Sequence, residues 1–550
     1  MFLIVPIGYA IYLSVMQLRS SGGAFGIRRQ TFVGLDNYIA ALSDPELVAS
    51  LGRLGVFALI SVPLTLGLAL LFALLLDLPG VRLTRFSRLS IFLPYAVPGV
   101  IGALLWGFLY LPRTSPGSYV LQAVGLPAID FLNGSWLYLS LSNIAVWAGV
   151  GFNMIVMYTA LRSIPAELYE AAKIDGASEW QIAWRIKIPL LSPALVLTFL
   201  FSIIATSTAT PSTSTTPREP QPRRWCSPWA PSSSRSGCSA SCSAARSETT
   251  DDRPHRSHSL RHRGVAGESP RRRRLDRTRV VPTIVLLMGA IYTLVPIVWV
   301  VTASTKSRGE LFSTFSFIPG TGFWQNLVDL STYEGGVYWK WAGNSLLYAG
   351  GGAVLSTLVS AAAGYALARY RFRGRAVVFN VLLAGVMLPQ ITLAIPQYFL
   401  MAELGLANTA WAVLLPSIIN PFGIYLATIY AQSSVPEETV EAARLDGASE
   451  FRIFLSIAMP VMVPGLITVF MLQFVGIWNN FLLPFIMLSD ENLYPLTTGL
   501  YLLLNRGTGT PALYSLAIVG ALLAIVPLLL LMVFLQRFWR LDLVSGSLKG

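Results

Sequence analysis

Apolar runs long enough to cross a bilayer as helices recur at about 2–18, 55–77, 90–111, 136–161, 190–205, 281–304, 343–368, 376–400, 409–431, 461–488 and 512–535. In lipid every backbone N–H and C=O must find its partner inside the protein, and a helix of about 20 residues does this segment by segment. These eleven runs predict an all-α integral membrane protein, with the first and fifth spans short. Composition agrees, since 54% of residues are hydrophobic, 12% are charged and the mean hydropathy is +0.60. The opening run, MFLIVPIGYAIYLSVMQL, has no basic segment before it and no small-residue cleavage site. It therefore reads as a first span, slightly clipped, and not as a removable signal peptide.

Within this apolar background one polar stretch occurs twice. EAAKIDGASEWQIAWRIKIPL begins at Glu170 and EAARLDGASEFRIFLSIAMPV at Glu441, 271 residues on, with eleven of twenty-one positions identical. The repeat divides the chain into a first half, 1–205, and a second, 280–550, each with the repeated stretch after its fourth span. Internal duplication of this kind builds transporters. With the N-terminus in the cytoplasm, the inner loops carry Arg82, Arg85, Arg88, Arg162, Lys173, Arg185 and Lys187 in the first half. In the second they carry Arg369, Arg371, Arg373, Arg375, Arg444, Arg452, Arg537 and Arg540. Both halves obey the positive-inside rule only if both repeated stretches are cytoplasmic.

The middle, 206–279, does not fit this count. Five crossings in the first half would invert the second, so a sixth crossing is required. Yet between Thr206 and Pro270 the only large apolar residues are Trp225, Trp229, Leu260 and Val265. The segment also holds fifteen Arg, no Lys and six acidic residues, so it supplies +9 of the net +13. The remaining +4 is ordinary for basic cytoplasmic loops and carries no nucleic-acid signal. All three Cys (226, 238, 242) and all three His (255, 258, 262) lie here, at a spacing that matches no zinc-ligand pattern, so no metal site is expected. Two readings stay open: a disordered Arg/Ser/Pro-rich linker, or out-of-frame translation of GC-rich DNA between two once-separate genes. Translating the other two frames distinguishes them.

The repeated stretch reads as a helix–Gly–helix bracket. Pro165 and Pro436 fall in the first turn of a short helix, where a missing N–H costs nothing. Gly176 and Gly447 sit where the helix stops and reverses. Ser178 and Ser449 follow as N-caps of a second short helix, with Gln181 completing a capping box, and that helix is expected to end near Pro189 or Pro460. Ala171, Ala172, Ala442 and Ala443 are small enough for a partner surface to come close, while Glu170 and Glu441 offer it a carboxylate. Asp175 and Asp446 belong to the shared Asp-Gly-Ala-Ser-Glu run. A capped, solvated loop would explain one copy; solubility alone gives two copies no reason to stay alike.

Glu170-Ala171-Ala172, Gly176, Ile186 and Pro189, with Glu441-Ala442-Ala443, Gly447, Ile457 and Pro460, resemble the "EAA" signature of inner-membrane permeases of binding-protein-dependent ABC importers. TFVGLDNY (31–38) and NPFGIYL (420–426) are similar to the carbohydrate-uptake branch, which includes maltose-type and glycerol-phosphate-type systems. The resemblance implies a pair of six-helix permeases fused in one chain in a bacterial cytoplasmic membrane. Each bracket would be a coupling helix seated on one of two ATPase subunits. An extracytoplasmic binding protein would deliver a sugar or sugar-phosphate-like solute. No Walker A pattern occurs, so the chain is not expected to be an enzyme or to hold a cofactor, and ATP-Mg belongs to the partner. The sequence departs from the family at the missing sixth helix of the first half.

Two rival readings remain. A proton-coupled carrier needs a titratable group at membrane depth, and no span carries Asp, Glu, His, Lys or Arg between its ends. Sodium coupling through carbonyls stays open, as does a defective fusion product without transport activity. For the solute path, Trp147, Asn153 and Tyr158 of the fourth span and Trp478, Asn479 and Asn480 of the tenth are candidates, because sugars bind to aromatic faces and amides. The same residues could instead anchor at the interface or join helices.

Overall fold

A computed structural model describes residues 4–208 and 277–535, apart from 22–26, 112–114, 126, 128, 163, 308, 314–316 and 508–511. The Cys and His residues of the middle segment, and the two readings of that segment, fall outside the described residues. The two halves cluster together as one compact unit.

Among the described residues, seven helices are long and apolar enough to cross a membrane: Pro45–Asp77, Leu137–Arg162, Val280–Ser304, Val337–Arg369, Ala410–Ser434, Glu450–Trp478 and Leu513–Leu535. Three further helix pairs are long and apolar enough only together, each bent at a short break as in a broken span or a re-entrant loop. Thr84–Ala96 meets Gly99–Leu109 at 102°, Arg375–Val386 meets Ile391–Glu403 at 108°, and Glu179–Leu190 meets Ser192–Thr206 at 68°. The all-α membrane fold read from the sequence is therefore present.

Four boundaries differ from the sequence reading, each for a local reason. The first span, expected over 2–18, is a helix only over Ile4–Ser14 and gives way to an antiparallel hairpin of Met16–Ser21 with Ile27–Phe32. Gln17 and Arg19 alternate with Met16 and Leu18 there, which is the strand period. The spans expected at 90–111 and 376–400 are broken. Pro98 and Pro389 lack an N–H and force extended backbone just before the next helix starts. Finally, the span expected over 461–488 begins inside the bracket, at Glu450, and stops at Trp478, because Asn479 caps it and Leu482–Met487 is a separate short helix.

The halves interlock. The first helix of the second half packs on Thr84–Ala96 and Gly99–Leu109 of the first half, while Ile4–Ser14 packs on Gln390–Glu403 of the second. One core cluster joins Trp106 and Trp147 to Trp299, Trp341 and Trp478. Polar side chains cross the seam: the Trp147 indole donates to Thr293 O at 3.0 Å, and the Tyr292 hydroxyl to Asn143 Oδ1 at 2.7 Å. Glycine permits the closest helix approaches. A Cβ on Gly151 would overlap the carbonyl of Ile91, and one on Gly364 would lie 2.7 Å from the carbonyl carbon of Ala427.

Candidate functional site

Each bracket is built by local rules acting at matching positions. The first arms are Ala166–Ile174 and Glu437–Leu445, with Pro165 and Pro436 as N-caps, one residue earlier than the sequence reading placed them. Gly176 (φ +78°) and Gly447 (φ +79°) then take the left-handed conformation that reverses the chain. Ala177 N–H donates to Ala172 O at 2.9 Å and Gly176 N–H to Lys173 O at 3.1 Å, and the second copy repeats both bonds at 3.0 Å. This closure satisfies carbonyls that the helix end would leave unpaired. Ser178 and Gln181 form the full capping box, whereas Ser449 accepts a single bond from the N–H of Arg452. An ion pair laces the two arms in each copy, Lys173–Glu179 at 2.8 Å and Arg444–Glu450 at 2.6 Å. Both are exposed, so each contributes only about 0.2–1 kcal/mol.

Both second arms run on through π-turns, Ala183–Lys187 and Phe454–Ala458, but they end differently: the first stops at Leu190, beside Pro189 as expected, where the next helix turns off at 68°, whereas the second passes Pro460 and continues unbroken to Trp478. A proline cannot donate to the carbonyl four residues back and its ring crowds that carbonyl; widening the preceding turn relieves the crowding without ending the helix.

Burial repeats as closely as the backbone: position by position, residues 170–189 and 441–460 fall in the same exposure class. Glu170, Ala171, Asp175, Gly176 and Pro189 are exposed, as are Glu441, Ala442, Asp446, Gly447 and Pro460. Ala172 and Ala443 are not; they face the bracket's own packing, so only Ala171 and Ala442 are open to a close partner. The sequence reading passed over the apolar side chains that stand out on these polar loops. Ile174 and Leu445 are 86% and 88% exposed, Trp180 and Phe451 are 70% and 71%, and Trp184 pairs with Leu455. The signal was legible, because each pair sits at the 271-residue offset.

The six solute-path candidates separate into different roles. Trp147 is buried and bonded across the seam to Thr293 O, and a Cβ on Gly102 would touch its ring, so it is a packing residue. Asn153 donates back to Gly149 O within its own helix at 2.9 Å. Tyr158 lies further along the helix, with the Arg88 guanidinium 5.8 Å from its ring centre. Trp478 stacks on Phe474 at 5.6 Å. Asn480 accepts from Leu483 N–H at 3.2 Å, in the first turn of Leu482–Met487. Asn479 reaches into the other half, where it donates to Tyr95 O at 3.2 Å. That carbonyl lies beside the break at Val97–Pro98 in the third span. Broken spans at corresponding places in two repeats are a pointer to a transport pathway. Pro98 and Pro389 were the sequence signals for it. Among the described residues no group of His, Cys, Asp and Glu could hold a metal ion.

An all-α chain of two interlocked, matching halves with broken spans at corresponding places has the architecture of a membrane permease. The family described as binding-protein-dependent transport system inner membrane component matches twice, over residues 66–216 and 356–540, and the chain belongs to it. The paired matches, the length of the chain and the many apolar spans make it a fused pair of such permeases in the inner membrane. Relatives include the arabinooligosaccharides transport system permease protein AraQ of Halalkalibacterium halodurans, 37% identical over 46% of this chain and 91% of its own length. The lactose transport system permease protein LacG of Rhizobium radiobacter is 31% identical over 50% of this chain and 98% of its own length. The sn-glycerol-3-phosphate transport system permease protein UgpA of Agrobacterium fabrum is 34% identical over 37% of this chain and 67% of its own length.

Proposed function

We propose that the chain is the membrane component of an ATP-driven importer of a sugar or sugar-like solute, and that its two brackets are the seats of two separate ATPase subunits. The observation that carries the coupling role is the matched set of exposed apolar side chains, Ile174/Leu445, Trp180/Phe451 and Trp184/Leu455, on loops that are otherwise polar. Exposed apolar groups outside the bilayer mark a docking surface. Glu170 and Glu441 flank them with carboxylates suited to basic groups on the partner. The sugar assignment draws on the relatives that carry arabino-oligosaccharides and lactose. The matched seats on the two halves, residues 1–205 and 280–550, support two ATPase subunits, and the family's description supports an extracytoplasmic binding protein. ATP-Mg would sit on the ATPases and none on this chain.

Reconstitution tests the reading. The chain is placed in proteoliposomes with the ATPase that co-purifies with it, and offered labelled arabino-oligosaccharides or lactose on a binding protein. ATP-dependent uptake is expected. ATP-independent uptake driven by a sodium gradient would overturn the assignment.

A further inference from the structure

Asp77 ends the Pro45–Asp77 helix, and its Oδ2 lies 2.6 Å from Nζ of Lys187 with both side chains 7% exposed. Lys187 is the last residue of the first bracket's π-turn, and its ammonium stands 5.0 Å from the centre of the Tyr169 ring in the bracket's first arm. One cation therefore touches three elements: the end of the second span, the first arm, and the root of the fifth span. Pulling a buried ion pair apart strands two charges where water cannot compensate them, so the contact resists separation.

At the matching place the second half is built differently. Ala458 occupies the position of Lys187, and Tyr370, just beyond the Val337–Arg369 helix, donates its hydroxyl to Glu450 Oε2 at 2.8 Å. Glu450 is shared with Arg444, and this network is exposed to solvent.

We propose that Asp77 and Lys187 are positioning residues forming a strut that makes the first bracket and the second span move as one body, while the second bracket has no buried ion pair at that place and is tied by an exposed, salt-sensitive network beside the apolar packing of Tyr365 on Phe454. The proposal rests on the reading of the brackets as ATPase seats. It does not depend on which solute is carried.

The test uses the full chain with its co-purified ATPase in proteoliposomes, after the three native cysteines have been changed to serine. Spin labels at Leu71→Cys and Leu168→Cys, two exposed positions, report the distance from the second span to the first bracket. Labels at Leu168→Cys and Thr439→Cys report the distance between the brackets. Trapping ATP should shorten the bracket-to-bracket distance and leave the span-to-bracket distance unchanged. In the Asp77→Leu/Lys187→Leu chain the brackets should still close, but the span-to-bracket distance should now shift. The charge-swapped Asp77→Lys/Lys187→Asp chain should restore constancy. Asp77→Asn, nearly unchanged in size, gives the same reading if the leucine pair does not accumulate. A span-to-bracket distance that stays constant in the leucine pair and in Asp77→Asn, or that already changes in the unsubstituted pair, overturns the strut. Brackets that ignore ATP in the unsubstituted chain overturn the coupling reading itself, and the strut with it.

Discussion

Asn479 donates its side-chain amide to the carbonyl of Tyr95 at 3.2 Å, fastening the end of one half's fifth span to the break in the other half's third. Asn479→Ala leaves that carbonyl unpaired in the membrane interior, at a cost of about 1–3 kcal/mol. Weaker uptake is expected, with normal amounts of protein in the membrane. Asn480→Ala instead loses one hydrogen bond to the first turn of Leu482–Met487, worth about 0.5–1.5 kcal/mol, and should lower the melting temperature more than the uptake rate. Equal effects of the two on uptake would contradict this division.

The halves hold together by seam contacts and not only by covalent continuity. Residues 1–208 and 277–550 expressed as separate chains should co-purify. Trp147→Phe removes the donor to Thr293 O and should weaken the complex by about 1–3 kcal/mol, seen as faster separation on dilution in detergent.

Ile174→Asp or Leu445→Asp should abolish an apolar contact worth about 1.5–3 kcal/mol when buried, and so weaken ATPase binding about ten-fold or more. Because both side chains are exposed in this chain alone, its melting temperature should not move. Titration of the solubilised chain with the ATPase measures the first effect and a thermal melt the second.

Gly151→Ala would drive a methyl into Ile91 O and to 2.6 Å from Phe92 Cα, which are backbone atoms that cannot swing aside. Overpacking of this kind costs about 1–3 kcal/mol. Gly149→Ala, two residues away, meets the Thr65 methyl at 3.5 Å and Asn153 Nδ2 at 3.9 Å, both ordinary contacts, and should be tolerated. Melting temperatures of the two variants side by side decide the matter.

Asp490 accepts bonds from the backbone N–H and side-chain amide of Asn492, which hold its carboxyl below the ordinary value of 3.8. A depressed carboxyl stabilises the fold above its unfolded value, and that contribution fades as pH falls through the folded value. The protection of the Asn492 amide, its hydrogen exchange measured relative to the intrinsic rate at each pH, should be constant from neutral pH down to about 4, fall only below that, and lose this acid step in Asp490→Asn.

Hydropathy made most spans legible, because a bilayer asks only for length and apolarity. It could not see the breaks at Pro98 and Pro389, since a bent apolar pair has the same composition as a straight helix. The bracket's caps and reversal followed from Ser178, Gly176 and their copies, because these rules act within a few residues. The roles of Trp147 and Asn479 did not follow. Each is set by a partner in the other half, Thr293 and Tyr95, more than a hundred residues away in sequence.

The paired π-turns carry a geometric consequence. A π-turn holds one residue more than an α-turn, and each α-helical residue turns the axis by about 100°. In the second half, where the helix runs unbroken to Trp478, the azimuth of the bracket relative to its span is thus set by a single surplus residue within 454–458; in the first half the 68° bend after Leu190 adds to the effect of 183–187. Deleting one residue there would leave both helices intact yet aim Ile174 or Leu445 away from its present heading.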